Sequence, residues 1–293
     1  LTSARSTPDL KKILTIGRSA ALKAGEILRR GYGLPKRVQF KGEIDLLTEF
    51  DLASEKAIVE IITSAFPDHV IVAEEGGETG AGSPNRWYID PLDGTTNFAH
   101  GLPVFCLSIA FEAQGEEGPE LLVGVVFDPL RKEMFTAMKG AGARLNGRPI
   151  EVSGQTDLGR ALVATGFPYD IRRNPESVLT RFERMCLAAQ GVRRVGAAAL
   201  DLAWLAAGRF DGFWEERLSP WDTAAGVLLV QEAGGRVTDF AGGAFRPQLK
   251  EILATNGHLH YNMLRRLNQG CAVHGSEPPS PGKESVNEKN PDQ

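Results

Sequence analysis

The stretch Trp87-Tyr88-Ile89-Asp90-Pro91-Leu92-Asp93-Gly94-Thr95-Thr96-Asn97 decides how the rest of the chain is read. Trp87 to Ile89 is a short apolar run bounded by turn residues, the pattern of a buried strand. It ends directly in Asp90. Pro91 stiffens the turn, Asp93 follows, and Gly94 and Thr95 come next, where backbone N–H groups can be left free. A strand end is a rigid platform, and loops at strand ends commonly hold ligands. Two carboxylates beside free amides can meet a metal–phosphate unit, with cations on one side and N–H donors on the other. The alternative is a plain turn in which Asp90 and Asp93 bond local amides.

Two further acids stand in similar places. Glu74 follows the apolar run Val70 to Ala73, so it also leaves a strand end. Ser219-Pro220-Trp221-Asp222 opens a helix running to Ala233, with Ser219 as N-cap, Pro220 at N1 and Asp222 at N3. Taken singly, Asp222 is a capping carboxylate and Glu74 an exposed loop acid. Taken together they form an acid set at element ends without a His or Cys partner. His69, His100, His258, His260 and His274 show no metal-binding spacing. Carboxylate, carbonyl and water ligands select hard ions, above all Mg²⁺. Two carboxylates 4 Å apart repel by roughly 4 kcal/mol at an effective dielectric near 20. Several such contacts would consume much of the ~5–15 kcal/mol that holds a domain folded. Converging acids therefore require cations or protons.

Around these sites the pattern is mixed α and β. Thr7 as N-cap and Pro8 at the first helical position predict a helix with a stripe at Leu10, Ile13, Leu14, Gly17, Ala21, Ala24 and Leu28, ended by Gly31 and Gly33. A second helix runs from Thr48, which with Asp51 resembles a capping box, to Phe66. Strands are expected at Val104–Ala113, Leu121–Phe127, Glu133–Met138, Ala161–Thr165, Val237–Asp239 and Ile252–Ala254, with Asp128-Pro129 as a turn. Helices are expected at Pro175–Ala189, Ala197–Ala207, Ser219–Ala233 and Gly257–Leu267. This succession indicates a layered α/β or α+β core. Residues 1–275 read as one catalytic domain of two packed halves meeting near 150–160, and residues 276–293 as a solvated tail.

The composition agrees. Of 293 residues 42% are hydrophobic and 24% charged, which excludes a disordered chain, a collagen-like repeat and a long coiled coil. A net charge of −4 with no basic run argues against direct nucleic-acid binding. Cys106, Cys186 and Cys271 form no C-x-x-C pair and fit a reducing compartment. Cys106 follows an apolar Val-Phe pair, so it reads as core rather than as a nucleophile. No signal-peptide core and no apolar stretch of ~20 residues is present, so a cytoplasmic protein away from membranes is expected.

The chain resembles the inositol monophosphatase family, within the lithium-sensitive, magnesium-dependent phosphatase superfamily. The resemblance rests on WYIDPLDGTTNF (Trp87 to Phe98), AEEGG (Ala73 to Gly77) and PWDTAAGVLLVQEAGG (Pro220 to Gly235). KGEIDLLTEFD (Lys41 to Asp51) and VGAAALDLAWLAAGRFDGFWE (Val195 to Glu215) agree. It spans about Leu10 to Leu267.

It implies a layered α/β/α/β/α sandwich of the inositol monophosphatase / fructose-1,6-bisphosphatase type, usually in a homodimer. Glu74, Asp90, Asp93, Asp222 and the Leu92 carbonyl would hold two or three Mg²⁺ ions. Thr95, Asp51 and Glu74 would be the catalytic group, with Thr95, supported by Asp51, orienting the attacking water. Asp93, Gly94, Thr95, Gly196, Ala198, Glu215 and Asp222 would contact the substrate, the Gly94 and Thr95 amides taking the phosphate and Glu215, Gly196 and Ala198 the ring. Ala197 stands where many members carry Ser or Thr.

The implied reaction is hydrolysis of a phosphate monoester, myo-inositol monophosphate first, by in-line attack of a metal-activated water without a covalent nucleophile. A fructose bisphosphatase, another sugar-phosphate phosphatase and a nucleotide 3′-phosphatase are the alternatives. Thr96 favours the inositol branch, because the nucleotide branch commonly has Lys there. Some members also join transcription or ribosome-assembly complexes, a possible added role.

Overall fold

The computed structural model describes residues 8–34, 38–41, 45–115 and 118–269. The expected tail 276–293, Cys271, His274 and Thr7 lie outside them. In chain order the elements begin with α1 (Leu10–Gly31), β1 (Val38–Phe40), β2 (Leu46–Thr48) and α2 (Glu49–Ala65). Then come β3 (Val70–Ala73), β4 (Gly77–Thr79), β5 (Arg86–Asp93) and α3 (Thr95–Ala99). A meander follows: β6 (Cys106–Gln114), β7 (Pro119–Asp128), β8 (Glu133–Met138), β9 (Ala143–Leu145) and β10 (Arg148–Ile150). The remainder is β11 (Leu162–Thr165), α4 (Glu176–Cys186), β12 (Gly191–Arg193), α5 (Ala198–Ala206), β13 (Gly212–Glu216), α6 (Pro220–Glu232), β14 (Arg236–Thr238), β15 (Glu251–Thr255) and α7 (His260–Leu267).

Among the described residues, besides a two-stranded β1-β2 hairpin, two sheets separate three helical layers. The larger has the order β10-β9-β8-β7-β6-β5-β3-β4 and is antiparallel except where β3 runs parallel to β5. The smaller has the order β12-β11-β13-β15-β14, with β11 parallel to both its neighbours. Helices α1 and α2 cover one face of the large sheet; α5 and α6 lie between the sheets; α4 and α7 cover the far side of the small one. This is the expected α/β/α/β/α sandwich. Covering on both faces explains why β6 is buried from Cys106 to Ala113 with no polar side exposed to water.

Helix α6 shows the same logic. Every residue from Thr223 to Val230 is buried, so its sequence carries no polar stripe. In contrast α1 buries only one face: Ile13, Gly17, Ala20, Ala21, Ala24, Gly25 and Leu28. The predicted cap of α1 is corrected. Asp9 is the N-cap and its carboxylate accepts from Lys11 N and Lys12 N, both at 3.1 Å, so Pro8 precedes the helix instead of starting it. A carboxylate caps two amides and meets the helix dipole, which Thr7 would not do as well. The Asp128-Pro129 turn is as read: buried Asp128 accepts from Leu130 N and Arg131 N, each at 2.9 Å. No helix of the described residues is long and apolar enough to cross a membrane.

Close packing sets two glycines apart. A Cβ on Gly124 of β7 would lie 2.8 Å from the Ala225 carbonyl of α6, backbone against backbone. A Cβ on Gly17 of α1 would meet nothing nearer than 3.5 Å. Gly124→Ala should therefore cost about 1–3 kcal/mol by lifting α6 off the sheet. Gly17→Ala should be neutral or stabilise by up to about 1 kcal/mol through helix propensity. Thermal unfolding of the two variants checks this; equal melting temperatures would contradict the packing.

Candidate active site

The parallel pairing of β3 with β5 ends with Ala73 opposite Ile89, so the next residues, Glu74 and Asp90, stand side by side just beyond it. Glu74 N donates to Ile89 O at 3.1 Å and fixes that register. Beyond Asp90 the ladder slips. Asp90 faces Ser108 and Asp93 faces Cys106, so three steps on β5 match two on β6. This bulge around Pro91-Leu92 turns Asp93 toward the helices between the sheets.

There Asp93 caps α5 from a distant part of the chain. Its Oδ1 accepts from Ala198 N at 3.1 Å, and its Oδ2 from Ala199 N at 2.8 Å and Leu200 N at 3.4 Å. The thiol of Cys106 donates to the same Oδ2 at 3.4 Å. Helix α5 has Ala197 at its N-cap and no cap of its own, so the anion completes the free amides.

The other acids divide their oxygens in the same way. Asp90 Oδ1 accepts from Leu92 N at 2.9 Å. Asp222 Oδ2 accepts from Ser219 N at 2.7 Å, so its capping role is real and occupies one oxygen. Asp51 is wholly buried, accepts on Oδ2 from Thr48 N at 2.9 Å and Thr48 Oγ1 at 2.5 Å, and takes the Thr95 hydroxyl on Oδ1 at 3.0 Å. Thr95 Oγ1 also lies 2.9 Å from Leu92 O. With one proton to give, it favours the carboxylate, the stronger acceptor, and leaves the carbonyl available.

Glu74, Asp90, Leu92, Asp93, Gly94, Thr95, Gly196, Ala198, Glu215 and Asp222 line one cavity of about 360 Å³. Asp51 stands behind Thr95, off the wall. Gly94 has φ +92°, and a Cβ there would lie 3.0 Å from Val104 O and 3.3 Å from Gly196 O, so only glycine fits. Glu215 lies over Gly166, where a Cβ would come within 2.1 Å of Oε1.

Several residues in and behind the wall have no individual site role predicted by the sequence. Lys41 Nζ pairs with Glu74 at 2.8 Å and Glu75 at 2.7 Å. Arg194 stacks over Phe167 at 5.7 Å, and Arg217 pairs with Asp170 at 2.6 Å. Asp201 is buried in α5, and its Oδ1 has no partner among the described residues. Cys106 is buried as read, and in addition it bonds Asp93.

The charges are poorly compensated. Burial, then the Glu74, Asp93 and Asp222 charges, carry Asp90 well above the ordinary carboxylate range. Burial also raises Asp222, with Glu74 and Asp93 adding. It lifts Asp93 to about 6 against its four donors, Glu74 to about 7 against Lys41, and Glu215 to about 8 with Asp222 adding and Arg194 opposing. Burial, then the Asp93 and Asp90 charges, push the Cys106 thiol well up, so it stays an S–H donor.

The donor set fits a hard divalent cation. It is all oxygen, and among the described residues no protein donor reaches the second oxygen of Asp90 or Asp222. No three or more His, Cys, Asp or Glu among the described residues are arranged to hold an ion alone. Carbonyl, water or substrate oxygens would complete the coordination, as hard ions accept.

A profile of the inositol monophosphatase family matches residues 9–271. The chain belongs to that family. An inositol-1-monophosphatase of Synechocystis sp. is 44% identical over 264 residues, 89% of this chain and 91% of the relative. The Nus factor SuhB of Pseudomonas aeruginosa is 48% identical over 254 residues, 84% of this chain and 92% of the relative. The solved inositol monophosphatase from Anabaena (Nostoc) sp. superposes with TM-score 0.80 at 44% identity, covering 89% of this chain and 97% of the other. Members of the family are metal-dependent phosphatases, and this chain is a phosphoric monoester hydrolase.

The raised carboxylates fix a pH dependence. In the metal-free protein they bind protons that the unfolded chain, with ordinary values near 4, has released. Stability is then greatest below about 4 as far as these groups are concerned, and is lost as pH rises through about 6, 7 and 8. With chelator present, the melting temperature should fall between pH 5 and pH 8, and a divalent cation should restore more of it at pH 8 than at pH 5. A chelated protein that grows more stable across this window would contradict the site electrostatics.

Proposed function

We propose that the protein hydrolyses myo-inositol monophosphate to myo-inositol and phosphate with Mg²⁺ as its cofactor. The observation that carries this reading is the convergence of Glu74, Asp90, Asp93, Asp222 and Leu92 on one cavity beside Gly94 and Thr95. Mg²⁺ suits the donor set because it keeps several waters and takes one or two carboxylates plus phosphate oxygens, whereas an all-protein cage is a habit of other ions. When bound, such ions lower the pKa of water and stabilise charge on the phosphate and the leaving alkoxide.

In this reading the protein's residues do the placing. Thr48 holds Asp51, and Asp51 accepts the Thr95 proton, so Thr95 Oγ1 presents lone pairs to a water hydrogen. That water is aimed at phosphorus while Gly94 and Thr95 line the phosphate side of the cavity. Asp93 and Asp222 are held in place by the amides they cap. Glu215, Gly196 and Ala198 face the cyclitol, with Glu215 accepting from ring hydroxyls. Ala197 offers no hydroxyl to the ring, which leaves selection to Glu215 and Arg194. We also read the protein as a cytoplasmic homodimer, with residues 1–275 as its catalytic domain.

A second role rests on the Nus factor relative, 48% identical. In this reading the chain also joins a transcription complex through protein contacts rather than direct contact with nucleic acid. Pull-down with an inactive variant separates that role from catalysis: recovery of polymerase subunits supports it.

Asp93→Asn and Asp222→Asn should each lower kcat by about 100-fold or more while circular dichroism stays that of the parent protein. Chelation should abolish phosphate release and excess Mg²⁺ should restore it. A panel of inositol monophosphate, fructose 1,6-bisphosphate and a nucleotide 3′-phosphate checks the substrate. Equal turnover of wild type and both variants at limiting Mg²⁺ would refute the site, and a marked preference for either of the last two esters would replace the substrate.

A further inference from the structure

Asp93 is the most heavily bonded acid of the site, and its bonds are distributed unevenly. Oδ2 receives Ala199 N at 2.8 Å, Leu200 N at 3.4 Å and the Cys106 thiol at 3.4 Å. Among the described residues Oδ1 receives only Ala198 N, at 3.1 Å. A carboxylate oxygen carries about two lone-pair sites, so Oδ2 is saturated and Oδ1 retains capacity. The asymmetry fixes which oxygen belongs to the fold and which is left for the cavity.

Three features of the chain produce it. The bulge after Asp90 sets Asp93 directly across from Cys106 instead of letting the ladder continue in step. Cys106 is fully buried among β-strand and α5–α6 side chains, so its thiol is shielded from water. Ala197 supplies no side-chain cap to α5, so no hydroxyl at that position competes with Asp93 for Ala199 N and Leu200 N. The amides already seat the carboxylate across both oxygens, Ala198 N on Oδ1 and Ala199 N with Leu200 N on Oδ2. The thiol adds a further donor to Oδ2 from the sheet side and so reinforces that seating.

We propose that Cys106 is a positioning residue, whose thiol clamps Asp93 Oδ2 and so holds Oδ1 toward the divalent-cation site. The inference rests on the cation-dependent reading above. It assigns no chemistry to the sulfur: no bond to Cys106 forms or breaks, and the proton stays on the thiol throughout.

The test compares Cys106→Ala and Cys106→Val, which remove the donor, with Cys106→Ser, which keeps an O–H donor. Mn²⁺ is the probe. Its binding to each chelator-stripped full-length protein is followed by the free-Mn²⁺ electron paramagnetic resonance signal, with half-saturating Mg²⁺ in turnover as a second readout and thermal unfolding as the fold control. The dissociation constant for Mn²⁺ should rise by about 3- to 10-fold in the Ala and Val variants, the scale of one net hydrogen bond. It should stay within about twofold of wild type in Cys106→Ser. Both aliphatic variants should raise the Mg²⁺ requirement more than they lower kcat at saturating Mg²⁺. Wild-type affinity in both aliphatic variants would overturn the inference, as would a Ser variant as weak as Ala, which would reduce Cys106 to core filling. Absence of Mn²⁺ binding by wild type would instead strike down the cation reading itself, and this inference with it.

Discussion

Glu74, Asp90, Asp93 and Asp222 repel one another, and the way each is anchored governs the architecture around them. Asp90, Asp93 and Asp222 spend oxygen lone pairs on backbone amides at the end of a strand or helix. Glu74 leans on Lys41. The amide bonds stabilise carboxylates locally without neutralising them, so the acids stay close while their charge is left over. Burial adds to the strain, as the raised values of Glu74 and Asp93, about 7 and 6, show. A cation held among these acids would offset that leftover charge.

The layering serves that arrangement. The large sheet delivers Glu74, Asp90 and Asp93 through the single parallel pair, β3 with β5, in an otherwise antiparallel sheet. The helices between the sheets deliver Asp222 at the start of α6 and the receiving amides at the start of α5. The small sheet delivers Glu215 on β13. The cavity thus lies where both sheets and the middle layer meet, and tight contacts such as Gly124 against Ala225 hold the layers in register.

What could be read from the chain was local. The Thr48–Asp51 and Ser219–Asp222 pairs are three residues apart, so their bonds follow from the sequence itself. The strand that ends at Asp90 follows from its apolar run. Thr-Pro is a common helix start and predicts the cap of α1 at Thr7, but Asp9 offers a charged acceptor to two amides and takes that place. Strand β13 is not predicted by the local pattern: Gly212 to Glu216 follows a helix closely, and it is made a strand by pairing with β11 and β15, from residues far away. Strand β12 depends in the same way on distant β11, whereas β1, β2, β4, β9 and β10 are three-residue strands in local hairpins, too short to show a period of their own. The bulge that sets Asp93 opposite Cys106, and the reach of Lys41 to Glu74, are likewise products of long-range register. The geometry shows how a helix-capping acid can also stand at the cavity: Asp222 caps α6 and lines the wall, while Asp51 caps α2 and takes the Thr95 hydroxyl from behind it.

The most direct measurement is the anomalous scattering of a crystal grown with Mn²⁺ in place of Mg²⁺. The account predicts peaks in the cavity between Glu74, Asp90, Asp93 and Asp222, within bonding distance of the second oxygens of Asp90 and Asp222. A fully occupied cavity without a metal peak, or Mn²⁺ bound only elsewhere on the surface, would contradict it.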